Sequence, residues 1–451
     1  MQILPSGQEP AAAGQGSLAL APFRGVRYVQ DRVSGLAEVT SPPYDVIAHD
    51  IEDQLMAADP HNVVRLILPR RRDGHPGDQY REVALTLRCW QDEQILRADP
   101  EPALYVYEQA LAGGISAEDG EAAVLQRGLI GALRLEPFEA GIVLPHEGVA
   151  PGPVTGRRQL MEATQANLEP IFLLYDTGEC GAASTTARQA ALTRTPLAEA
   201  VTGDGLRHRI WAISDPGELA AIAADLAGAR PVIADGHHRY SAYLDLQGRQ
   251  QAAGAGPGPW DYGLALLVDG RAYPPRVGAI HRVIPGLDPA VAADQAAAAF
   301  TVKPVPGGTG RLADAQNALA EASPNGVAFV IAGGDRAFLL TDPDPGQVDA
   351  AMPAGASQRW RGLAASVLQE LLIARIWGIP DTELRVQFVH HDAAAAVRAA
   401  DQTGGTAVIC SPMSVADVYA VAAHGEKVPR KSTSFDPKPR TGLVMRMFAE
   451  S

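Results

Sequence analysis

The chain has little cysteine. Its three thiols, Cys89, Cys180 and Cys410, share no CxxC spacing and leave an odd count, so neither a zinc site nor a disulfide framework follows. Reduced thiols in a cytoplasmic protein are the expectation. A basic surplus is also missing. Lys plus Arg number 38 against 52 Asp plus Glu, a formal charge of -14, which argues against nucleic acid as a partner. No apolar run approaches the roughly 18 residues that a membrane-spanning helix needs. The opening segment, residues 1–17, has neither a basic n-region nor an apolar h-region, so it reads as a disordered tail and not as a signal peptide. Neither a Walker A sequence nor a GxSxG elbow occurs, which removes support for P-loop and α/β-hydrolase chemistry. What remains is ordinary: 46 % hydrophobic and 20 % charged residues over a length of 451, fitting a soluble protein of two or three domains.

The apolar pattern alternates strands and helices. Asn62 to Pro69 reads as a buried strand and Gln79 to Ile95 as a helix, with Ala103 to Leu111 and Leu125 to Phe138 as paired strands. Ser41-Pro-Pro-Tyr-Asp-Val-Ile47 is a stiff turn, because each proline fixes its own φ and restricts its predecessor. Pro170 to Tyr175 is an apolar strand. Pro216 to Leu226 is a helix behind an N-cap-like Asp215. The run Gly346 to Gly362 reads as a polar, mobile loop. From Pro285 onward helices and strands alternate, which indicates a mixed α/β (α+β) fold.

Three stretches carry candidate chemistry. In Asp235-Gly236-His237-His238-Arg239 an apolar strand ends in an acid, a glycine allows a tight turn, and a helix begins. Backbone N–H groups at a helix start, with His and Arg beside them, favour an anion such as phosphate. Asp235 suits a divalent cation or the positioning of a hydroxyl. In Pro145-His146-Glu147 a carboxylate beside a histidine suits a general base. In Lys431-Ser432-Thr433 a cation and two hydroxyls suit phosphate. Arg157, at the start of a short helix to Asn167, is a candidate substrate contact. His390, His391 and Asp392 form a polar cluster read as structural.

These stretches, with PFRGVRYV, SPPYDVI, NLEPIFLLY and KSTSFDPKPRTGLV, resemble in order the domain-of-unknown-function family numbered 1015. They are also similar to archaeal free serine kinases, which carry a PHE element, a proline-led apolar strand, a strand ending in DGHHR and a PKTT-like segment. The resemblance implies a ParB/sulfiredoxin-like core, Glu147 as the base, His238 as a second catalytic group, and nucleotide phosphates on Asp235 to Arg239 and on Lys431 to Thr433. It also implies ATP or ADP as donor, Mg²⁺ as a bridge to the phosphates with Asp235 as its ligand, and a role in serine metabolism. The departures are an insertion from Asp176 to Arg230 and Lys-Ser-Thr in place of Lys-Thr-Thr.

The expected organisation is a tail at 1–17, an N-terminal α/β segment at 18–124, a phosphate-binding core at 125–284 and a C-terminal α/β lobe at 285–451. The expected function is nucleotide-dependent phosphoryl transfer to a small hydroxylated molecule, free serine first. The alternatives are a phosphatase of phosphoserine-like esters and a non-catalytic, ParB-like nucleotide switch.

Overall fold

Strands buried on both faces read as unbroken apolar runs, and Ile171–Tyr175, with all five residues buried, is the plainest here. The computed structural model describes residues 16–70, 77–113, 124–176, 181–380 and 385–450; most of the expected tail lies outside them. The fold is mixed α/β, in two units. The first comprises residues 1–144, 149–274 and 437–451; the second comprises 145–148 and 275–436.

The first unit is built on an eight-stranded sheet. Its strands are β1 (Leu20–Ala21), β2 (Leu104–Leu111), β3 (Val124–Arg134), β4 (Ile171–Tyr175), β5 (Ala198–Val201), β6 (Leu206–Ile213), β7 (Val232–Asp235) and β8 (Tyr262–Asp269). The order is β7-β4-β8-β3-β2-β6-β5, with β1 joined to the far end of β3. Only β4 and β8 pair in parallel among these neighbours. A domain boundary at 124 would fall between β2 and β3, which are hydrogen-bonded along their lengths. The expected N-terminal segment and central core therefore share one sheet and form one unit.

One face of this sheet packs on helices α1 (Pro151–Thr164), α2 (Pro216–Leu226) and α3 (His237–Ala252). Pro151 opens α1, where a missing N–H costs nothing. The Asp215 carboxylate accepts the Glu218 N–H at 2.9 Å and caps α2, as the sequence predicts. Residues 437–451 return to the same unit: Arg440 N–H donates to the Tyr107 hydroxyl at 3.0 Å, and Gln126 donates to the Pro437 carbonyl at 2.9 Å. Because of this return, Pro437 onward belongs with the first unit and not with a C-terminal lobe.

Two readings of local structure are corrected. Asn62 to Pro69 is not a strand; Val64–Ile67 is a short helix. The Asn62 side chain accepts the Val64 N–H at 2.9 Å and donates to the Glu38 carbonyl at 2.6 Å, which fixes a turn that an apolar run alone does not reveal. Gly346 to Gly362 is not an open loop; Asp344 and Ser357 cap helices Pro345–Ala351 and Gln358–Gly362.

The second unit holds a six-stranded antiparallel sheet of Ile280–Ile284, Thr301–Pro304, Phe329–Gly333, Arg336–Thr341, Gln387–His390 and Thr406–Ile409. Phe329 and Ile331 enter one apolar core while Val330 and Ala332 enter another, as strand alternation requires. Both faces are therefore covered by helices. A separate two-stranded ribbon pairs Arg276–Gly278 with Ser434–Asp436. Among the described residues no helix is long and apolar enough to cross a membrane.

Candidate functional site

The predicted site residues fall into two clusters, one in each unit: Arg157 with Asp235 to Arg239 in the first, and Glu147 with Lys431 to Thr433 in the second.

In the first cluster β7 delivers Asp235 to the start of α3. A bulge between Ile233 and Asp235 breaks the two-residue alternation, a device that re-aims side chains. Gly236 follows at φ +98, and a Cβ there would meet Ile171 Cγ2 at 2.9 Å, so the turn requires glycine. The first N–H groups of the 16-residue helix α3 have no intrahelical acceptors and carry the positive end of its dipole.

The side chains divide their tasks. Arg239 turns inward. Its guanidinium donates to the Pro170 carbonyl at 2.6 Å, pairs with Asp235 Oδ2 and lies 5.9 Å from the Tyr44 ring centre. Asp235 Oδ1 meets Lys438 Nζ at 2.6 Å, and Lys438 also pairs with Asp45 at 3.0 Å. Both Asp235 oxygens thus face cations. Arg157 stacks on Tyr44 at 4.1 Å, donates to the Ile67 carbonyl at 2.8 Å and lies 3.4 Å from Glu169. Glu169 in turn accepts the Tyr44 N–H at 3.1 Å. His238 Nε2 accepts the Ala150 N–H at 3.0 Å, so in this arrangement that nitrogen carries no proton, and the ring ties α3 to the N-cap of α1. His237 is buried.

Three cations (Arg157, Arg239, Lys438) and three carboxyl groups (Asp45, Glu169, Asp235) therefore form one nearly closed network. Burial raises the Glu169 carboxyl above its ordinary value, against the pull of Arg239 and Arg157. Burial pushes the Tyr44 hydroxyl up to about 12. It also opposes the charge on Lys438, yet Asp235 and Asp45 hold that ammonium well above its usual pKa. A cavity of about 20 Å³ lined by Arg157, Glu169, Arg239 and Tyr243 has room for a water molecule.

Sequence reasoning missed four members of this network: Tyr44, Asp45, Glu169 and Lys438. Each left a trace. Tyr44 and Asp45 stand directly after a proline pair, Glu169 is a carboxylate abutting a fully apolar strand, and Lys438 is held between Pro437 and Pro439.

In the second cluster the Glu147 carboxylate sits among donors from Lys431, Ser432 and Thr433. Oε2 accepts the Lys431 N–H at 3.2 Å. Oε1 accepts the N–H groups of Ser432 and Thr433, both at 3.1 Å, and the Thr433 hydroxyl at 2.8 Å. The predicted base and the predicted phosphate ligands are thus in direct contact. His146 Nε2 lies 2.7 Å from Thr433 Oγ1. His390 and His391 flank Ser434 at 3.3 and 3.0 Å, and His391 Nε2 also lies 3.1 Å from Asp436. Ser434 and Asp436 address the same ring nitrogen of His391, so the three do not form a relay in which a base is oriented through its second nitrogen. Asp392 caps helix Ala393–Thr403.

The family described as "Protein of unknown function (DUF1015)" matches residues 20–366. A comparison with curated proteins finds no match. Among solved structures the chain is similar to a free serine kinase in complex with AMP, at 13 % identity and a TM-score of 0.36, covering 72 % of this chain and 93 % of that one. It is similar to a conserved hypothetical protein from Pyrococcus furiosus at 12 % identity and a TM-score of 0.36, covering 72 % and 97 %. It is also similar to SbnI with a C-terminal truncation from Staphylococcus aureus at 12 % identity and a TM-score of 0.35, covering 70 % and 87 %.

Proposed function

The chain belongs to the DUF1015 family of proteins of unknown function, and for it we propose nucleotide-dependent phosphoryl transfer to a small hydroxylated molecule, with free serine as the first acceptor to test. One observation carries the reading: Gly236, at φ +98, turns the strand ending in Asp235 into the N-terminus of a 16-residue helix, with two histidines in its first turn. That is the geometry of a phosphate cradle. The sheet of the first unit then acts as a ParB/sulfiredoxin-like core, and the phosphates of ATP or ADP rest on the N–H groups of the first turn of α3. Arg239 and Lys438 act on them from behind, by fixing Asp235 and the turn. Glu147 is the base that takes the acceptor's proton, after leaving the donors of residues 431–433. Arg157, engaged by Tyr44 and Glu169, orients the floor of the acceptor site.

Phosphoryl transfer asks mainly for positioning and charge neutralisation, and Mg²⁺ is expected to accompany the nucleotide. Asp235 does not fit as its ligand, because Arg239 and Lys438 already engage both carboxylate oxygens. Among the described residues no group of three acids, histidines or cysteines offers another set.

The test is incubation of the full chain with ATP, ADP or CTP, Mg²⁺ and a panel of amino acids, read by mass spectrometry. A phosphorylated acceptor, lost in Glu147→Gln while nucleotide binding persists, is the expected result. Release of phosphate from O-phosphoserine without nucleotide would replace the reading with a phosphatase. Nucleotide binding without any turnover would replace it with a switch.

A further inference from the structure

In the first unit a two-stranded antiparallel ribbon pairs Val26–Tyr28 with Leu96–Ala98. Val26, Tyr28 and Leu96 are buried. Strand alternation puts Arg27 and Arg97 on the other face, and the register sets them directly opposite each other. Like charges in that position repel. One carboxylate relieves one of the two. Asp99 accepts from Arg27 Nε at 2.9 Å and from Nη2 at 2.5 Å, and it takes the Tyr105 hydroxyl at 2.7 Å. The Arg97 guanidinium, among the described residues, has no ion pair and no acceptor.

Both arginines line a cavity of about 330 Å³, together with Gln30, Asp31, Asp99 and Leu197. The Gln30 amide donates to the Leu197 carbonyl at 3.1 Å, which ties the turn after the ribbon to the segment entering β5. β5 and β7 are opposite edges of the large sheet, so this cavity adjoins the edge away from Asp235. Asp31, exposed in the helical turn Gln30–Arg32, also has no side-chain partner among the described residues. Arg27 and Asp99 neutralise each other. The cavity is left with one unmatched cation, Arg97, and one unmatched anion, Asp31.

We propose that this cavity is a binding site for a small zwitterion of amino-acid or dipeptide size, with its carboxylate on Arg97 and its ammonium on Asp31. A guanidinium fork matches a carboxylate, and Arg27 Nη1, which Asp99 does not use, is a further donor. A simple anion would bring negative charge to Asp31. A simple cation would bring positive charge to two guanidinium groups. A ligand of both signs answers both walls, and the exposed Leu197 side chain offers aliphatic contact to its carbon skeleton. Small-molecule pockets begin at roughly 300 Å³, which keeps the ligand small. The site stands whether or not the chain transfers phosphate.

The experiment is calorimetric titration of the full-length protein, without nucleotide and at low ionic strength, with glycine, β-alanine and glycylglycine, a series in which the two charges move apart. Acetate and methylammonium are the single-charge controls. At least one zwitterion is expected to bind about tenfold more tightly than either control. Arg97→Gln is expected to weaken that binding about tenfold, and Asp31→Asn to bring it down to the level of acetate. Neither residue has a side-chain partner to lose, so both variants are expected to unfold in urea like the wild type. Three results would each overturn the proposal: no binding by any zwitterion, acetate binding as tightly as the best of them, or zwitterion binding unchanged in both variants.

Discussion

Asp235 and Glu147 are both carboxylates at the end of a segment the sequence marks as functional, yet their surroundings differ in kind. Asp235 is held by side-chain charge, from Arg239 and Lys438. Glu147 is held by backbone N–H groups and one hydroxyl. If Asp235 withdraws, the nearly buried Arg239 loses its paired carboxylate and Lys438 keeps only Asp45, which is costly. If Glu147 withdraws, neutral donors remain that water or another anion can serve. The first arrangement fixes a shape, whereas the second permits exchange. Chemistry that needs a base to let go of its partners belongs with the second.

The largest expected effect separates the two directly. Arg239→Ala should cost about 3–5 kcal/mol in urea unfolding, the usual result of breaking one side of a buried pair. Glu147→Ala should cost about 1–2 kcal/mol. Equal losses would erase the distinction.

Acid gives a second handle on the first unit. Burial, then Arg440, lowers the His208 imidazole from 6.5 to about 4, while it contacts the Tyr107 and Thr202 hydroxyls at 2.9 and 3.0 Å. The unfolded chain takes up a proton near pH 6.5 that the folded one refuses until about pH 4. Stability from this group is therefore complete above about pH 6.5 and is lost as the pH falls towards 4, by up to about 3 kcal/mol. Because Arg440 and Lys438 share one returning segment, the loss should loosen the hold on Asp235. Unfolding followed at pH 7 and pH 4.5, in wild type and His208→Gln, tests this: a pH dependence identical in both would exclude His208 as its source.

Smaller effects sharpen the picture. Gly236→Ala should cost about 1–2 kcal/mol, through its positive φ and the contact with Ile171, and, if the proposed function holds, should weaken nucleotide binding beyond that loss. Thr433→Val should cost about 1 kcal/mol in thermal or urea unfolding, the worth of one hydroxyl donor; a loss above 3 kcal/mol would mean that the segment is as rigidly locked as Asp235.

The contrast also explains what the sequence could reveal. Strand, glycine turn and helix at Val232 to Ala252 lie consecutively in the chain, and local chemistry makes them legible. The partners of Asp235 are not local: Asp45 and Lys438 come from opposite ends of the sequence, and nothing in a linear pattern pairs an aspartate after two prolines with a lysine between two others. Chemistry and resemblance single out Glu147 and Lys431 to Thr433 separately. Their contact is a product of the fold, since Glu147 and Val428 form an isolated parallel bridge. The short helix at Val64 is not legible because an apolar run of that length has no period of its own, and the deciding residue is a polar one, Asn62.

The return of residues 437–451 to the first unit bears on the order of events during synthesis. Residues 275–436 precede Lys438 in the chain, so Asp45 and Asp235, made early, wait for their shared cation while the second unit is synthesised. Arg446, nearly inaccessible in the finished protein, donates to Asn167 at 2.9 Å and to the Tyr262 and Pro259 carbonyls at 3.0 and 2.9 Å. Those acceptors, too, stay unmet until the last stretch of chain arrives. Contacts of such sequence separation form late. A chain truncated before Pro437 would therefore carry a first unit whose acidic cluster lacks its lysine.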